Sequence, residues 1–115
     1  MGRLRDKVAL ITGGASGLGK ATGQLMAKEG ATVILTDLQE VEGTEVSKQI
    51  IDDEGKCFFM KQDTTSEEGW REICDYILER HGHLDILLNG AGVGGSGIEI
   101  EDMDFSIWRN CLSVN

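Results

Sequence analysis

The sequence predicts an α/β fold in which helices cover both faces of a doubly wound parallel sheet. Apolar, β-branched runs alternate along the chain with segments of helical periodicity, and no repeat, linker or low-complexity segment interrupts them. Such alternation is typical of a parallel sheet with right-handed crossovers. We interpret residues 1–115 as one domain, because a chain of this length can bury one core but is short for a whole α/β enzyme.

The first strand and the helix after it carry the most informative feature of the chain. The apolar run of residues 7–12 ends at a cluster of four glycines within residues 13–19. Helical spacing of apolar residues then predicts a helix as far as Gly30: Leu18, Ala21, Leu25 and Met26. Missing side chains let a diphosphate approach the backbone, and a helix N-terminus favours its negative charge. The segment therefore predicts a nucleotide-binding site.

The second strand, residues 31–37, ends in a carboxylate, Asp37, 18 residues beyond Gly19. In a dinucleotide-binding fold, an acid roughly 20 residues past the glycines accepts hydrogen bonds from the adenosine ribose hydroxyls. A carboxylate there also repels a 2′-phosphate, which favours NAD over NADP. The alternative is that Asp37 only caps the following helix, since acids are common at helix starts.

The remaining elements follow in alternation. We predict a helix over 40–53, a third strand over 56–64, a helix over 66–80, a fourth strand over 84–88, a Gly/Ser loop over 93–98 and a helix over 101–115. Val46, Ile50 and Val41 are the candidate sheet-facing residues of the first of these helices, and Phe105, Trp108 and Leu112 of the last.

The helix predicted over 66–80 has the clearest periodicity. Its apolar stripe fills positions i, i+3, i+4, i+7 and i+8, which predicts a buried face: Trp70, Ile73, Cys74, Ile77 and Leu78. Thr65 and Glu68 are spaced as a capping box at its start, and Gly82 is suited to end it.

Two motifs resemble those of the short-chain dehydrogenase/reductase family. Thr12, Gly13, Gly17 and Gly19 have the spacing T-G-x-x-x-G-x-G. Residues 89–92, Asn-Gly-Ala-Gly, are similar to the N-N-A-G motif after the family's fourth strand, with glycine in place of the second asparagine. The resemblance extends over the whole chain and implies a Rossmann-type sheet with strand order 3-2-1-4.

The resemblance also implies which residues bind NAD. Asp63, at the end of the third strand, would meet the adenine amino group. Neither Ser16 nor Leu38 is basic, whereas the family's NADP users tend to carry Lys or Arg at those positions. The implied cofactor-binding residues are Thr12, Gly13, Ser16, Gly17, Leu18, Gly19, Asp37, Leu38, Asp63, Thr64, Asn89, Gly90, Ala91 and Gly92.

The implied activity is NAD-dependent hydride transfer between nicotinamide and an alcohol or carbonyl substrate. The family's catalytic asparagine would be Asn115, the last residue, and the catalytic Ser and Tyr-x-x-x-Lys should lie further along. Tyr76 and Arg80 imitate the latter spacing but belong to an outer helix, and a phenol must reach the proton that it moves. We therefore expect residues 1–115 to be an incomplete dinucleotide-binding domain, inactive alone, from a protein that is a homo-oligomer when complete.

Two other interpretations stay open. The 115 residues can be a nucleotide-binding module without catalysis. Residues 14–20 also match most of a P-loop, although Ala21 stands where a P-loop needs a magnesium-binding hydroxyl and Thr22 comes one position late. The apolar fourth strand would have an unpaired edge if no further strand followed it, and such an edge is unfavourable in water. This favours an incomplete enzyme over a separate module. It also predicts that the isolated chain self-associates.

Composition excludes several other classes. The net charge of −9 disfavours binding to nucleic acid or anionic membranes, and no apolar run approaches 18 residues. The polar first seven residues do not read as a signal peptide, and the three cysteines lack C-x-x-C spacing, which indicates reduced thiols and a cytoplasmic protein. His81 and His83 have no third ligand nearby in sequence, so we expect no metal site.

Overall fold

The computed structural model describes residues 2–92 together with 106, 109, 113 and 114. Strands and helices alternate along the continuous part: β1 (Val8–Thr12), α1 (Gly17–Lys28), β2 (Thr32–Asp37), α2 (Glu40–Asp52), β3 (Lys56–Lys61), α3 (Glu67–His81) and β4 (Ile86–Asn89). The predicted loop over 93–98, and Phe105, Trp108 and Leu112 of the last predicted helix, lie outside the described residues.

The four strands form one parallel sheet with the predicted order β3-β2-β1-β4. At the centre of the sheet, Thr12 is in register with Thr36 on one side and Asn89 on the other. The next residue of β2, Asp37, is in register with Lys61 of β3. The carboxyl ends of all four strands therefore lie along one edge of the sheet, where ligands of open α/β sheets bind.

The two faces of the sheet carry separate apolar clusters. On one face, buried side chains of the strands pack with α1 and α2: Ile11, Val33, Leu35 and Cys57 with Ala27, Val46 and Ile50. On the other face, α3 packs on the sheet through two buried isoleucines: Val8, Leu10 and Ile34 with Ile73 and Ile77. Helices on both faces explain why β1 is buried at every position.

Small residues form the buried face of α1. Gly19, Gly23 and Ala27 are buried, whereas Leu18 and Leu25, part of the apolar set that predicted the helix, are 86% and 59% exposed. The helix lies so close to the sheet that larger side chains would not fit. The periodicity predicted the helix correctly, and Met26 of that apolar set packs against the core, but the fully buried residues of the helix are the small ones.

Helix α3 departs from the prediction at its start and along its stripe. The predicted capping box is wrong by one residue, because Ser66 is the N-cap and its Oγ accepts from the Gly69 N–H at 3.1 Å. Cys74 is exposed and Leu78 is 58% exposed, so their predicted burial is wrong too. Only the i, i+4 pair of that stripe, Ile73 and Ile77, is fully buried against the sheet. Gly82 ends the helix with φ +78°, as predicted.

Strand β4 is fixed to β1 by Asp85, the residue before it. The Asp85 N–H donates to the Val8 carbonyl at 2.9 Å, and its carboxylate accepts from the Val8 N–H at 2.8 Å. That second bond, and secondarily the nearby His83, lowers the pKa of Asp85. Leu87 is 49% exposed, so the expected burial of β4 on both faces is wrong for the part of the chain that the structure describes.

Among the described residues there is neither a membrane-spanning helix nor a cluster of metal-ligating side chains. The described helices are too short and too polar to cross a membrane. His, Cys, Asp and Glu side chains in the same part of the chain form no group of three that could hold a metal ion.

Gly43 of α2 offers a test of the packing. It is buried, and a Cβ there would overlap the Phe59 ring of β3. Although Ala is a better helix former, we expect Gly43→Ala to lower the free energy of unfolding by about 1–2 kcal/mol, because overpacking outweighs a propensity gain of about 1 kcal/mol. The measurement is urea unfolding followed by circular dichroism.

Thr44→Ala, at an exposed position of the same helix, is the matched control and should change stability by less than about 0.5 kcal/mol. In a Phe59→Leu background, Gly43→Ala should be neutral or stabilising. A stabilising effect of Gly43→Ala in the otherwise unchanged chain would contradict the packing described for α2.

Candidate functional site

A cleft of about 520 Å³ lies at the carboxyl edge of the sheet. Its walls come from the β1–α1 turn, the ends of β2 and β3, and the turn after β4, and Val114 also lines it. All but two of the residues predicted to bind the cofactor line this cleft, the exceptions being Thr12 and Asn89. The topology therefore brings together four segments that are far apart in sequence.

The β1–α1 turn presents backbone to the cleft. Gly17, the first residue of α1, has φ +55°, and a Cβ built on it would meet nothing within 4 Å. A side chain there would thus extend into open space at the helix N-terminus, where a bound group would sit. A Cβ on Gly19, in contrast, would overlap the Gly13 carbonyl. Gly17 therefore keeps the backbone accessible from the cleft, whereas Gly19 allows α1 to pack closely against the turn.

The Asp37 carboxylate connects this turn to the end of β2. Oδ2 accepts from the Ala15 N–H at 3.1 Å, and Oδ1 accepts from the Gln39 N–H at 3.0 Å. Helix α2 begins at Glu40 with Gln39 as its N-cap, so the alternative that Asp37 itself is the helix cap is wrong. Two backbone donors fix the carboxylate at the cleft wall, and each oxygen keeps a further lone pair for another donor.

The end of β3 contributes a second carboxylate. Asp63 Oδ1 accepts from the Thr65 hydroxyl at 2.6 Å and from the Thr65 N–H at 2.9 Å. Those two bonds lower the pKa of Asp63, the hydroxyl contributing most. Thr64 also lines the cleft, and its carbonyl accepts from the Trp70 indole N–H at 3.0 Å. The segment between β3 and α3 is thus held by its own hydrogen bonds.

Thr12 lies behind the cleft and joins β1 to the turn after β4. It is 1% exposed, and its hydroxyl accepts from the Gly90 and Ala91 N–H groups at 3.1 and 3.2 Å. The same hydroxyl donates to the Leu88 carbonyl at 3.5 Å. Its one donor and two acceptor positions are therefore all used, and Thr12 holds the cleft wall instead of lining the cleft.

Gly90, which stands in place of the second asparagine of the N-N-A-G motif, has no room for a side chain. A Cβ on Gly90 would lie 2.5 Å from the Thr12 carbonyl oxygen, too close for any side chain in this conformation. Asn89 pairs with Thr12 in the ladder and is exposed outside the cleft lining. Glycine at position 90 lets the turn after β4 approach β1 directly, and Gly90, Ala91 and Gly92 all line the cleft.

Sequence reasoning missed four lining residues, Thr36, Gln39, Gln62 and Val114. Thr36 and Gln62 are buried, and the Thr36 hydroxyl donates to Gln62 Oε1 at 2.6 Å. A signal for both existed in the sequence. Each is a polar residue immediately before one of the two acids that end otherwise apolar strands.

Three groups that imitate functional residues lie outside the cleft lining. Tyr76 and Arg80 are on α3, where the guanidinium lies 5.1 Å from the Tyr76 ring centroid. Ala21 and Thr22 line a separate groove on the other side of α1, so the hydroxyl does not serve a P-loop. His83 pairs with Asp85 at 3.0 Å. Asn115, implied to be catalytic, lies outside the described residues.

This geometry defines a class: a doubly wound α/β domain with a cleft at the carboxyl ends of its strands and a glycine turn at a helix N-terminus. The family is shown by comparison of sequences. A family model described as short chain dehydrogenase matches residues 7–115. The chain belongs to the short-chain dehydrogenase/reductase family.

Individual relatives agree with this assignment. The chain is 44% identical over its whole length to a cyclopentanol dehydrogenase of Comamonas sp. (strain NCIMB 9872), covering 46% of that protein. It is 43% identical over 98% of its length to the xanthoxin dehydrogenase of Arabidopsis thaliana, covering 41%. The chain thus spans less than half the length of these curated relatives.

A solved structure is similar in fold. A metagenomic short-chain oxidoreductase, crystallised in complex with NADP, superposes with a TM-score of 0.89 at 28% sequence identity. The match covers 96% of this chain and 50% of that protein. The parallel sheet and its helices are therefore those of the family.

A substitution of Thr12 tests whether its hydroxyl holds the turn after β4. Thr12→Val keeps the shape of the side chain but leaves the Gly90 and Ala91 N–H groups without the hydroxyl acceptor. We expect it to lower the free energy of unfolding by about 1–2 kcal/mol and to abolish the protection of the Ala91 amide against hydrogen exchange. The Gly90 N–H also donates to the Leu88 carbonyl at 3.1 Å, so its protection should fall less. Nuclear magnetic resonance measures that protection residue by residue.

Thr12→Ser is the matched control, because it keeps the hydroxyl and loses one methyl, worth about 0.8 kcal/mol. Its two amides should keep their protection. Equal exchange at Ala91 in the Val and Ser variants would show that the hydroxyl does not hold the turn after β4.

Proposed function

We propose that this chain is the NAD-binding part of an oxidoreductase of the short-chain dehydrogenase type. The whole protein would transfer hydride between nicotinamide and an alcohol or carbonyl substrate. The observation that carries the proposal is the position of the Asp37 carboxylate, bonded to Ala15 of the glycine turn and facing the same cleft. One carboxylate at that position can receive both hydroxyls of a ribose whose diphosphate lies on the turn.

The residues present fit a dinucleotide on three counts. The backbone at Gly17 is open to the cleft at a helix N-terminus, which suits a diphosphate. Asp37 and Asp63 offer acceptors at the ends of adjacent strands, which suits a ribose and an adenine amino group. The cleft volume of about 520 Å³ lies within the range of small-molecule sites.

The preference for NAD over NADP rests on charge. A 2′-phosphate would bring negative charge against Asp37, and no basic side chain stands at Ser16 or Leu38 to compensate. Leu38 is 57% exposed and lines the cleft. A related oxidoreductase was crystallised in complex with NADP, so the proposed preference for NAD is supported only by the residues at these positions of this chain.

The positions of the residues indicate which of them would bind the coenzyme and which would take part in the reaction. The bound nicotinamide supplies the hydride-transfer chemistry. Residues 13, 16–19, 36–39 and 62–64 line the cleft and would orient the nucleotide, and the turn at 90–92 closes the cleft beside β1. By resemblance, Asn115 takes part in proton relay, and the Ser and Tyr-x-x-x-Lys of the family complete the reaction in the whole protein. The polypeptide of residues 1–115 has one tyrosine, Tyr76, which is followed by Arg80 instead of Lys.

The proposal also includes the cellular compartment and the binding partners of the whole protein. The thiols of Cys57 and Cys74 are free, which supports a reducing compartment such as the cytoplasm. The acidic surface supports a small-molecule substrate and argues against nucleic acid or an anionic membrane as partner. The exposed Leu87 of β4 supports further contacts in the whole protein, including those of a homo-oligomer.

Coenzyme discrimination tests the role of Asp37. Wild-type chain should bind NAD more tightly than NADP in calorimetric titrations. Asp37→Arg should lower the ratio of NAD to NADP affinity by about tenfold or more, equivalent to 1.4 kcal/mol, because attraction replaces repulsion at the 2′-phosphate.

The matched control is Asp52→Arg, which makes the same charge change at the exposed carboxyl end of α2. It should leave the ratio of affinities unaltered, since screening by salt weakens distant charges. If Asp37→Arg and Asp52→Arg gave the same ratio, Asp37 would not be the selecting residue.

Turnover separates binding from catalysis. We expect the polypeptide of residues 1–115 to enhance NADH fluorescence on binding, yet to leave NADH unoxidised with a panel of ketones and aldehydes. Measurable oxidation would mean that the chemistry resides within these residues. Tyr76→Phe would then decide whether the single phenol takes part.

A further inference from the structure

Asn89 and Gly90 are the pair of residues at which this chain departs from the N-N-A-G motif. Of the three asparagines in the sequence, only Asn89 is followed by glycine. Asn89 is the last residue of β4 and is exposed, so water reaches it. Asparagine is a thermolabile residue, and a following glycine has no side chain to shield its backbone nitrogen from the asparagine amide. The pair therefore carries a chemical reactivity that the proposed function does not use.

The reaction is deamidation, and its only co-reactant is water. The Gly90 backbone nitrogen loses its proton and attacks Cγ of Asn89, so that a bond forms between these two atoms. The bond from Cγ to Nδ2 breaks, and the side-chain nitrogen leaves with a proton as ammonia. Water then opens the resulting succinimide ring at one of its two carbonyls. The product is aspartate or isoaspartate, and in isoaspartate the main chain runs through the side-chain carboxyl carbon.

The hydrogen bonds of Gly90 hold the attacking nitrogen in place. Its N–H donates to the Thr12 hydroxyl at 3.1 Å and to the Leu88 carbonyl at 3.1 Å. Thr12 is 1% exposed, so water does not compete for its hydroxyl. The nitrogen cannot turn towards Cγ of Asn89 until both bonds are broken. Deamidation therefore proceeds from a minor state in which the turn after β4 has opened locally.

We propose that Asn89 is a site of spontaneous deamidation and that the Thr12 hydroxyl restrains the reaction. This inference goes beyond the proposed function and does not depend on coenzyme binding. Isoaspartate adds one atom to the main chain before Gly90. The turn approaches β1 too closely to accommodate it, since even a Cβ on Gly90 would lie 2.5 Å from the Thr12 carbonyl oxygen. The isoaspartate form therefore loses the bonds from Gly90 and Ala91 to the Thr12 hydroxyl, and this wall of the cleft is released irreversibly.

The test incubates the chain at mildly alkaline pH and follows the peptide that contains residue 89 by mass spectrometry, with fragmentation that distinguishes isoaspartate from aspartate. In urea, Asn89 should deamidate faster than Asn110, which is followed by cysteine. The folded wild type should react more slowly at Asn89 than the unfolded chain. Thr12→Val should accelerate the folded-state reaction about fivefold, the factor equivalent to one hydrogen bond of about 1 kcal/mol. Thr12→Ser, which keeps the hydroxyl, should react at nearly the wild-type rate.

Gly43→Ala separates local opening of the turn from unfolding of the whole chain. We expect it to lower the free energy of unfolding as much as Thr12→Val does, but Gly43 packs against Phe59 of β3, at the opposite edge of the sheet from β4. It should leave the rate at Asn89 unchanged. Equal acceleration by Gly43→Ala and Thr12→Val, or none by Thr12→Val, would overturn the role of the Thr12 hydroxyl.

Two further measurements test the site and the consequence of its modification. Asn89→Gln should remove the reaction, because glutamine would have to close a larger ring. The absence of isoaspartate at residue 89 in the unfolded chain would overturn the site itself. The isoaspartate form, separated by ion exchange, should lack protection of the Ala91 amide against hydrogen exchange. Wild-type protection of Ala91 in that form would show that the modification does not release the turn.

Discussion

Close approach of backbone to backbone at the end of β1 is the constraint on which the rest of the site depends. A Cβ on Gly19 would overlap the Gly13 carbonyl, and a Cβ on Gly90 would lie 2.5 Å from the Thr12 carbonyl. Main chain from α1 and from the turn after β4 therefore meets β1 without side chains between them. The Thr12 hydroxyl bonds to two N–H groups of that turn, which fixes the distance across the cleft floor.

Much of this arrangement follows from the sequence because it depends on residue types with few alternatives. The alternation of strands and helices predicted the fold class, and the glycines at fixed spacing together with Asp37 predicted a nucleotide-binding site after β1. The resemblance to the family implied the strand order and most of the cleft lining. Burial on the helices was predicted less well. Leu18 and Leu25 are exposed although they carry the periodicity of α1, since the tight packing of that helix selects Gly23 and Ala27 instead.

The errors and omissions share a physical origin, because they concern how elements meet and not which elements form. Exposure of Cys74 depends on how α3 lies on the sheet, and nothing in its periodicity distinguishes it from Ile73. The Thr36–Gln62 hydrogen bond joins adjacent strands, so it depends on the register between β2 and β3. Thr12 matches the motif, yet only the fold shows that its hydroxyl is used up within the protein.

The hydrogen bonds of the two acids show how the fold prepares this cleft in advance of a ligand. Asp37 is held by N–H groups from the glycine turn and from the start of α2, and Asp63 by both donors of Thr65. Ordering such side chains on binding would cost free energy, and here that cost is met during folding.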